Sequence, residues 1–354
     1  MSARVLMKGN EAIAEAAIRA GCRHYFGYPI TPQTEVMHYM AKRMVEVQGV
    51  MVQAESEIAA INMVYGAASA GARVLTTSSS PGISLKQEGF SYIAGAELPA
   101  VVVNIVRSGP GLGGILPAQG DYFQATKGGG HGDYHNIVLA PASVQELYEL
   151  TVESFNLADR YRVLTMILGD GTLGQMMEPV TFRDQEPVEV VAKDWAVGGT
   201  LGRRPHNTIQ SIYIEADILE ALNRKLQAKY QVIKQKEVRV EVLNCEDAEI
   251  ILTAFGTCSR ICRNVIRQAA ELGIRVGLIR PITLWPFPEE TIAAAAGRTS
   301  VKAFLDIEMN CGQMVEDVRL AVNGRKPVYF HGRSGGNLPT QKEILEQIRS
   351  IAGR

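Results

Sequence analysis

The chain has 354 residues, 36 Lys+Arg against 37 Asp+Glu, a net charge of −1 and 46% hydrophobic residues. That length suits two domains or slightly more, each with its own core, and a near-neutral chain without a Lys/Arg block argues against nucleic acid or a membrane surface as partner. No apolar run approaches the roughly 18–20 residues of a spanning helix, and the opening MSARVLMKGNEA lacks the long apolar region of a signal peptide, so a cytoplasmic location is expected.

In chain order, residues 3–8 (ARVLMK) predict a strand, and GNEAIAEAAIRAGC a helix stopped by Gly21. HYFGYP reads as the next strand, followed by a turn between Pro29 and Pro32 and a helix over 33–45. VMVQA reads as a short buried strand, and residues 57–70 as a helix of small and apolar residues. ARVLTTSS is a strand, SSSPGIS a helix start with Pro81 in the first turn, and LPAVVVNIVR a strongly apolar strand. From Ser108 to His135 the chain is Gly-rich and irregular, the kind of segment that usually serves function. NIVLAPAS returns to a strand, and Ser143 with Glu146 predicts a capping box for a helix ending near Asp159. RVLTMILGD is a further strand.

Strands alternating with helices indicate an α/β fold with a mostly parallel sheet, ending near residue 180. Residues 181–245 read as an extended linker followed by a charged amphipathic helix over 214–236, and 246–354 as a second α/β unit. Within it AEIILTAFG, IRVGLIRP, VKAFLDIE and VYFHG are strands. CSRICRNVIRQAAELG is a helix stopped by Gly273, and Thr340 with Glu343 caps the last helix.

Candidate chemistry centres on Glu57. A carboxylate leading into an apolar helix is costly to bury without a partner, and such burial is one way to tune a Glu for proton transfer. Glu55 and Glu57 diverge by about 200° on a helix, so they do not share a site; either could be a first-turn acid favoured by the helix dipole. Arg107 ends a buried strand beside the Gly-rich loop, as a carboxylate anchor or a structural salt bridge. Gly109, Gly111 and Gly114 fit GxGxxG, but Pro117 follows where a dinucleotide fold opens a long helix, so a mobile site-lining loop is preferred to NAD binding. Gly169-Asp170-Gly171 resembles the start of a thiamine-diphosphate metal motif. The next Asn is the distant Asn207, so a strand-end turn is preferred. His131 and His135 follow three glycines and lack a third ligand, which disfavours zinc. The five cysteines, Cys22, Cys245, Cys258, Cys262 and Cys311, contain no CxxC, so buried thiols are preferred to an iron–sulfur cluster on this chain.

GYPITPQTE, QAESEIAAINMVYGAASAGARVLTTSSSPG, the Arg107 loop and RPITLWPFP together resemble the α subunit of 2-oxoacid:ferredoxin oxidoreductases over almost the whole chain. The likeness is nearest to the branched-chain (2-oxoisovalerate, 3-methyl-2-oxobutanoate) type, with the 2-oxoglutarate type a near relative. The resemblance implies a pyrimidine-binding domain of a thiamine-diphosphate enzyme followed by a transketolase C-terminal-like domain. The implied reaction is 2-oxoacid plus CoA plus oxidised ferredoxin to acyl-CoA, CO₂ and reduced ferredoxin. It implies that thiamine diphosphate is shared with a β subunit carrying the Mg²⁺. Iron–sulfur clusters would sit on β and on a ferredoxin-like δ subunit, and a γ subunit would complete the assembly. By matching position, Glu57 would hydrogen-bond the cofactor's aminopyrimidine nitrogen and promote its imino tautomer. The Pro29-Ile30-Thr31 turn would touch the cofactor, with Thr31 also near substrate, and Arg107 would pair with the substrate carboxylate. The rival readings are a self-contained thiamine-diphosphate decarboxylase or transketolase-like enzyme, and a non-catalytic scaffold subunit.

Overall fold

The protein is described by a computed structural model covering residues 4–184 and 186–353, so Ala3, expected to open the first strand, lies outside the described residues. The chain runs β1 (Arg4–Lys8), α1 (Gly9–Arg19), β2 (His24–Gly27), α2 (Thr34–Glu46), β3 (Val50–Gln53), α3 (Glu57–Ser69), β4 (Val74–Ser78), α4 (Ser80–Gly95) and β5 (Ala100–Val106). It continues with α5 (Tyr122–Thr126), β6 (Ile137–Leu139), α6 (Val144–Tyr161), β7 (Leu164–Asp170), α7 (Gly171–Gln175) and β8 (Met177–Thr181). After a long irregular stretch come α8 (Ala216–Lys236), β9 (Val240–Leu243), β10 (Ile250–Thr253), α9 (Gly256–Glu271), β11 (Val276–Pro281) and β12 (Thr283–Trp285). The last elements are α10 (Glu289–Ala296), β13 (Ala303–Glu308), α11 (Met314–Val322), β14 (Val328–Gly332) and α12 (Gln341–Ala352).

A seven-stranded sheet in the order β12-β6-β7-β5-β4-β2-β3 forms the first layer system. Its pairs from β6 to β3 are parallel, and β12 joins antiparallel to β6. β5 and β7 are buried along their whole lengths, as expected for strands covered by helices on both faces. From β2 the chain steps outward to β3, then crosses back to β4 on the other side of β2. That reversal places a topological switch point at the carboxyl ends of β2 and β4, where open α/β sheets bind ligands. A five-stranded sheet, β14-β13-β10-β11-β9, carries the second core, and β1 pairs antiparallel with β8 in a small separate ribbon.

Several expectations are corrected. VMVQA is not a buried strand: β3 is the sheet's edge, and both its end residues are exposed. Ser143 does cap α6, accepting from Glu146 N at 3.1 Å, but the reciprocal half of the box is absent. The Glu146 carboxylate instead accepts from Ala142 N (2.7 Å) and from both terminal nitrogens of the buried Arg280 (2.7 and 2.8 Å). A bidentate guanidinium outcompetes a backbone amide for a carboxylate. Glu55 is not in the helix; Ser56 is the N-cap of α3, accepting from Ala59 N at 3.2 Å, so Glu57 is the first-turn acid and Glu55 lies exposed before it. The stretch 181–245 is not all linker and helix, because β9 pairs antiparallel with β11 in the second sheet. In exchange, β12, from the RPITLWPFP segment, joins the first sheet through β6.

Candidate active site

Four side chains singled out from the sequence, Glu57, Thr31, Arg107 and Asp170, gather at the carboxyl rim of the first sheet. Glu57 follows β3, Thr31 follows β2, Ser79 and Ser80 follow β4, Arg107 follows β5 and Asp170 ends β7. In a parallel sheet these are all carboxyl ends, so one rim collects residues distant in sequence.

Glu57 is the first residue of α3 and is 6% exposed. A carboxylate there lies in the field of the helix N-terminus. The neighbouring helix α4 meets α3 along a seam of three residues, Gly82, Lys86 and Gly89, spaced so that all lie on one helical face. A Cβ on Gly82 would sit 2.5 Å from Glu57 Oε1 and 2.1 Å from Ser78 Oγ; one on Gly89 would sit 2.6 Å from Ile61 Cγ1. The glycines let the two helices close to a distance that any side chain would forbid. Ser78 Oγ and Ser79 Oγ, at the end of β4, are buried without a hydrogen-bond partner.

Between the two glycines stands Lys86, fully buried. Its Nζ donates to Thr76 Oγ1 at 3.1 Å and to the Glu57 carbonyl at 3.4 Å. Burial pushes the amine down to about 7, and the charge of Glu57 works in the opposite direction.

The Pro29-Ile30-Thr31 turn is braced from behind. Pro32 O accepts from Asn10 Nδ2 (2.8 Å) and Gln175 Nε2 (3.0 Å), and Gln33 N donates to Ile30 O at 3.0 Å. Pro29 and Ile30 are half-buried while the Thr31 side chain is exposed on the rim. Arg107 joins this turn to the Gly-rich loop: Nη1 donates to Thr31 O at 3.1 Å and Nη2 to Leu112 O at 3.0 Å, while its buried Nε has no partner. The sequence left a substrate anchor and a salt bridge open; the contacts within this chain are to carbonyls. The loop carries exposed Leu112 and Ile115, and Leu116 packs on Gly336. Its far end is fixed by Gln119, whose Nε2 donates to Phe255 O (3.0 Å) and whose Oε1 accepts from Met309 N (3.0 Å).

Asp170 behaves as a strand-end cap. Oδ1 accepts from Thr172 N (2.9 Å) and Leu173 N (3.2 Å), and Oδ2 accepts from Thr257 Oγ1 (2.7 Å) at the start of α9. Burial raises its pKa while these hydrogen bonds oppose the rise. His131 and His135 are drawn apart: the first faces Ser91 Oγ at 3.4 Å, and the second stacks on Trp285 with ring centroids 4.6 Å apart. Cys22, Cys245, Cys258 and Cys262 are buried, and burial pushes the Cys22 thiol up to about 12; Cys311 is exposed, against the expectation of buried thiols.

Sequence reasoning missed Lys86, Gly82 and the two orphaned serines. The signal for the first two was available: Gly, Lys and Gly at 82, 86 and 89 put one long cationic side chain between two residues without side chains on one helical face. What it faced was not legible, because α3 arrives from the other end of a crossover.

The fold places the chain among thiamine-diphosphate enzymes, as a pyrimidine-binding domain joined to a transketolase C-terminal-like domain. Residues 15–242 match the family model described as pyruvate flavodoxin/ferredoxin oxidoreductase, thiamine diphosphate-binding, and residues 248–344 match that of pyruvate:ferredoxin oxidoreductase core domain II. Ketoisovalerate oxidoreductase subunit VorB of Methanothermobacter thermautotrophicus is 51% identical over 98% of each chain. The 2-oxoglutarate synthase subunit KorA of the same organism is 36% identical over 98% of this chain and 99% of its own. Among solved structures, 2-oxoglutarate:ferredoxin oxidoreductase from Magnetococcus marinus superposes with a TM-score of 0.88 at 27% identity, over 98% of this chain and 65% of that one; it holds 2-oxoglutarate, coenzyme A and succinyl-CoA. A split-gene transketolase, TM-score 0.59 at 11% identity over 98% of both chains, shares the fold. The chain belongs to the 2-oxoacid:ferredoxin oxidoreductase family, as an α-type subunit.

Proposed function

We propose that this chain supplies the proton-handling wall of an active site completed by partner subunits, in an enzyme that oxidatively decarboxylates a 2-oxoacid with CoA to acyl-CoA and CO₂. The observation that carries it is Glu57: a carboxylate 6% exposed, at a helix N-terminus, with Gly82 clearing space against its Oε1.

The rim fits the aminopyrimidine half of thiamine diphosphate. It offers a buried acid and two buried serine hydroxyls with unused hydrogen-bonding capacity. When bound, that cofactor supplies the carbanion that attacks a 2-oxo carbon and the electron sink for decarboxylation. Glu57 holds and moves the proton at the ring nitrogen. The Pro29-Ile30-Thr31 turn bounds the ring, with Thr31 exposed toward substrate. Arg107, whose side chain keeps N–H groups beyond the two spent on Thr31 O and Leu112 O, attracts the substrate carboxylate.

The Asp170 oxygens are taken by Thr172, Leu173 and Thr257, which supports a diphosphate–Mg²⁺ site on a β subunit rather than here. In this reading the iron–sulfur clusters lie on β and a ferredoxin-like δ chain, a γ chain completes the assembly, electrons leave to ferredoxin, and the location is cytoplasmic. No helix among the described residues is long and apolar enough to cross a membrane. The substrate is a branched-chain 2-oxoacid such as 3-methyl-2-oxobutanoate, supported by the two VorB relatives at 51% identity against 33–39% for the KorA relatives.

The test is anaerobic purification of the complex containing this chain, followed by CoA-dependent reduction of ferredoxin with a panel of 2-oxoacids. Glu57→Gln in that complex lowers turnover by roughly 10²-fold or more, the scale of general acid–base catalysis. Near-normal turnover in the variant refutes the role of Glu57; higher kcat/KM for 2-oxoglutarate refutes the substrate assignment.

A further inference from the structure

An apolar seam between two helices is normally filled by Leu, Met or Ala, because a buried charge loses its hydration. The seam between α3 and α4 is instead crossed by Lys86, fully buried, between Gly82 and Gly89. Its contacts are specific: one N–H to Thr76 Oγ1 on β4, one to the carbonyl of Glu57. The amine group therefore bridges the strand that leads to the site and the first turn of α3. Gly82, one turn before it on the same face, is the residue against which Glu57 Oε1 rests. Glu57 is also the charge that favours the protonated amine.

We propose that Lys86 is a positioning residue for Glu57: its buried amine group pins the first turn of α3 and holds the carboxylate in place toward the aminopyrimidine. A methionine of the same length would fill the volume and remove both the pin and the charge. This rests on the cofactor-directed reading of Glu57, and the experiment separates the two.

The readout is hydrogen–deuterium exchange at C2 of thiamine diphosphate bound to the assembled complex without 2-oxoacid, with cofactor affinity and melting temperature measured alongside. Lys86→Met, Glu57→Gln and the double variant form a cycle. The expected result is roughly tenfold slower exchange in Lys86→Met, with no further loss when it is added to Glu57→Gln, because a residue acting through another shows non-additivity. Thr76→Val, which removes one acceptor and leaves the charge, slows exchange in the same direction by a smaller factor and serves if Lys86→Met does not assemble. Wild-type exchange in Lys86→Met and Thr76→Val, or an equal further loss in the Glu57→Gln background, overturns the positioning role. Wild-type exchange in Glu57→Gln instead overturns the reading of Glu57, and Lys86 with it.

Discussion

Lys86→Met should stabilise the chain while impairing it. In the folded protein the Lys86 amine is pushed from 10.5 to about 7, with burial the leading cause. Between those values the unfolded chain holds a proton that the folded chain does not, so the stability contribution of this group rises with pH across that window. Below about pH 7 both states carry the charge, and the folded state bears the full burden, on the order of 5 kcal/mol for a displacement of that size. Methionine removes it, but Thr76 Oγ1 and the Glu57 carbonyl each lose a donor, which costs about 1–3 kcal/mol. The variant should thus be about 2–4 kcal/mol more stable than wild type at pH 6. That gap should narrow above pH 7 by about 1.4 kcal/mol per pH unit as the wild-type chain sheds the buried charge. Urea unfolding of both chains at pH 6, 8 and 9.5 reads this directly. A gap that stays constant with pH, or a wild-type chain that is the more stable at pH 6, would refute the account of Lys86 as a dehydrated cation.

The remaining expectations concern the same rim and its anchors. Gly82→Ala should destabilise by about 1–3 kcal/mol through overpacking, since its Cβ would meet Ser78 Oγ at 2.1 Å, and turnover should fall with it. Gly66→Ala, on the exposed side of α3 with nothing within 4 Å, should instead stabilise the isolated chain by about 0.5–1 kcal/mol; melting both variants gives the contrast. Thr257→Val removes the 2.7 Å donor to buried Asp170 and should cost about 1–3 kcal/mol in urea unfolding, with no cost counting against the tie between α9 and β7. Arg107→Lys keeps a charge but loses the fork to Thr31 O and Leu112 O. KM for the 2-oxoacid should rise roughly tenfold or more, and an unchanged KM would remove Arg107 from substrate binding.

The sequence by itself determined the alternation of elements and singled out Glu57 as a carboxylate leading into an apolar helix. Apolar runs such as VVVNIV admit few placements other than a doubly covered strand, and Ser143 and Thr340 cap their helices as their local pattern demands. Local chemistry of this kind acts within a few residues, so it can be read from neighbours in the chain. It failed where a distant group competed: Arg280 took Glu146 from its backbone partner, and edge position left β3 exposed. Only the tertiary structure decided that Glu57, Thr31, Ser79 and Arg107 share a rim, because the crossover that returns the chain from β3 to β4 is a property of sheet order and not of any short motif. The same holds for Lys86. In the sequence it is one charged residue on a helix among many, and its meaning comes from α3, which closes over it through two glycines and takes away its water.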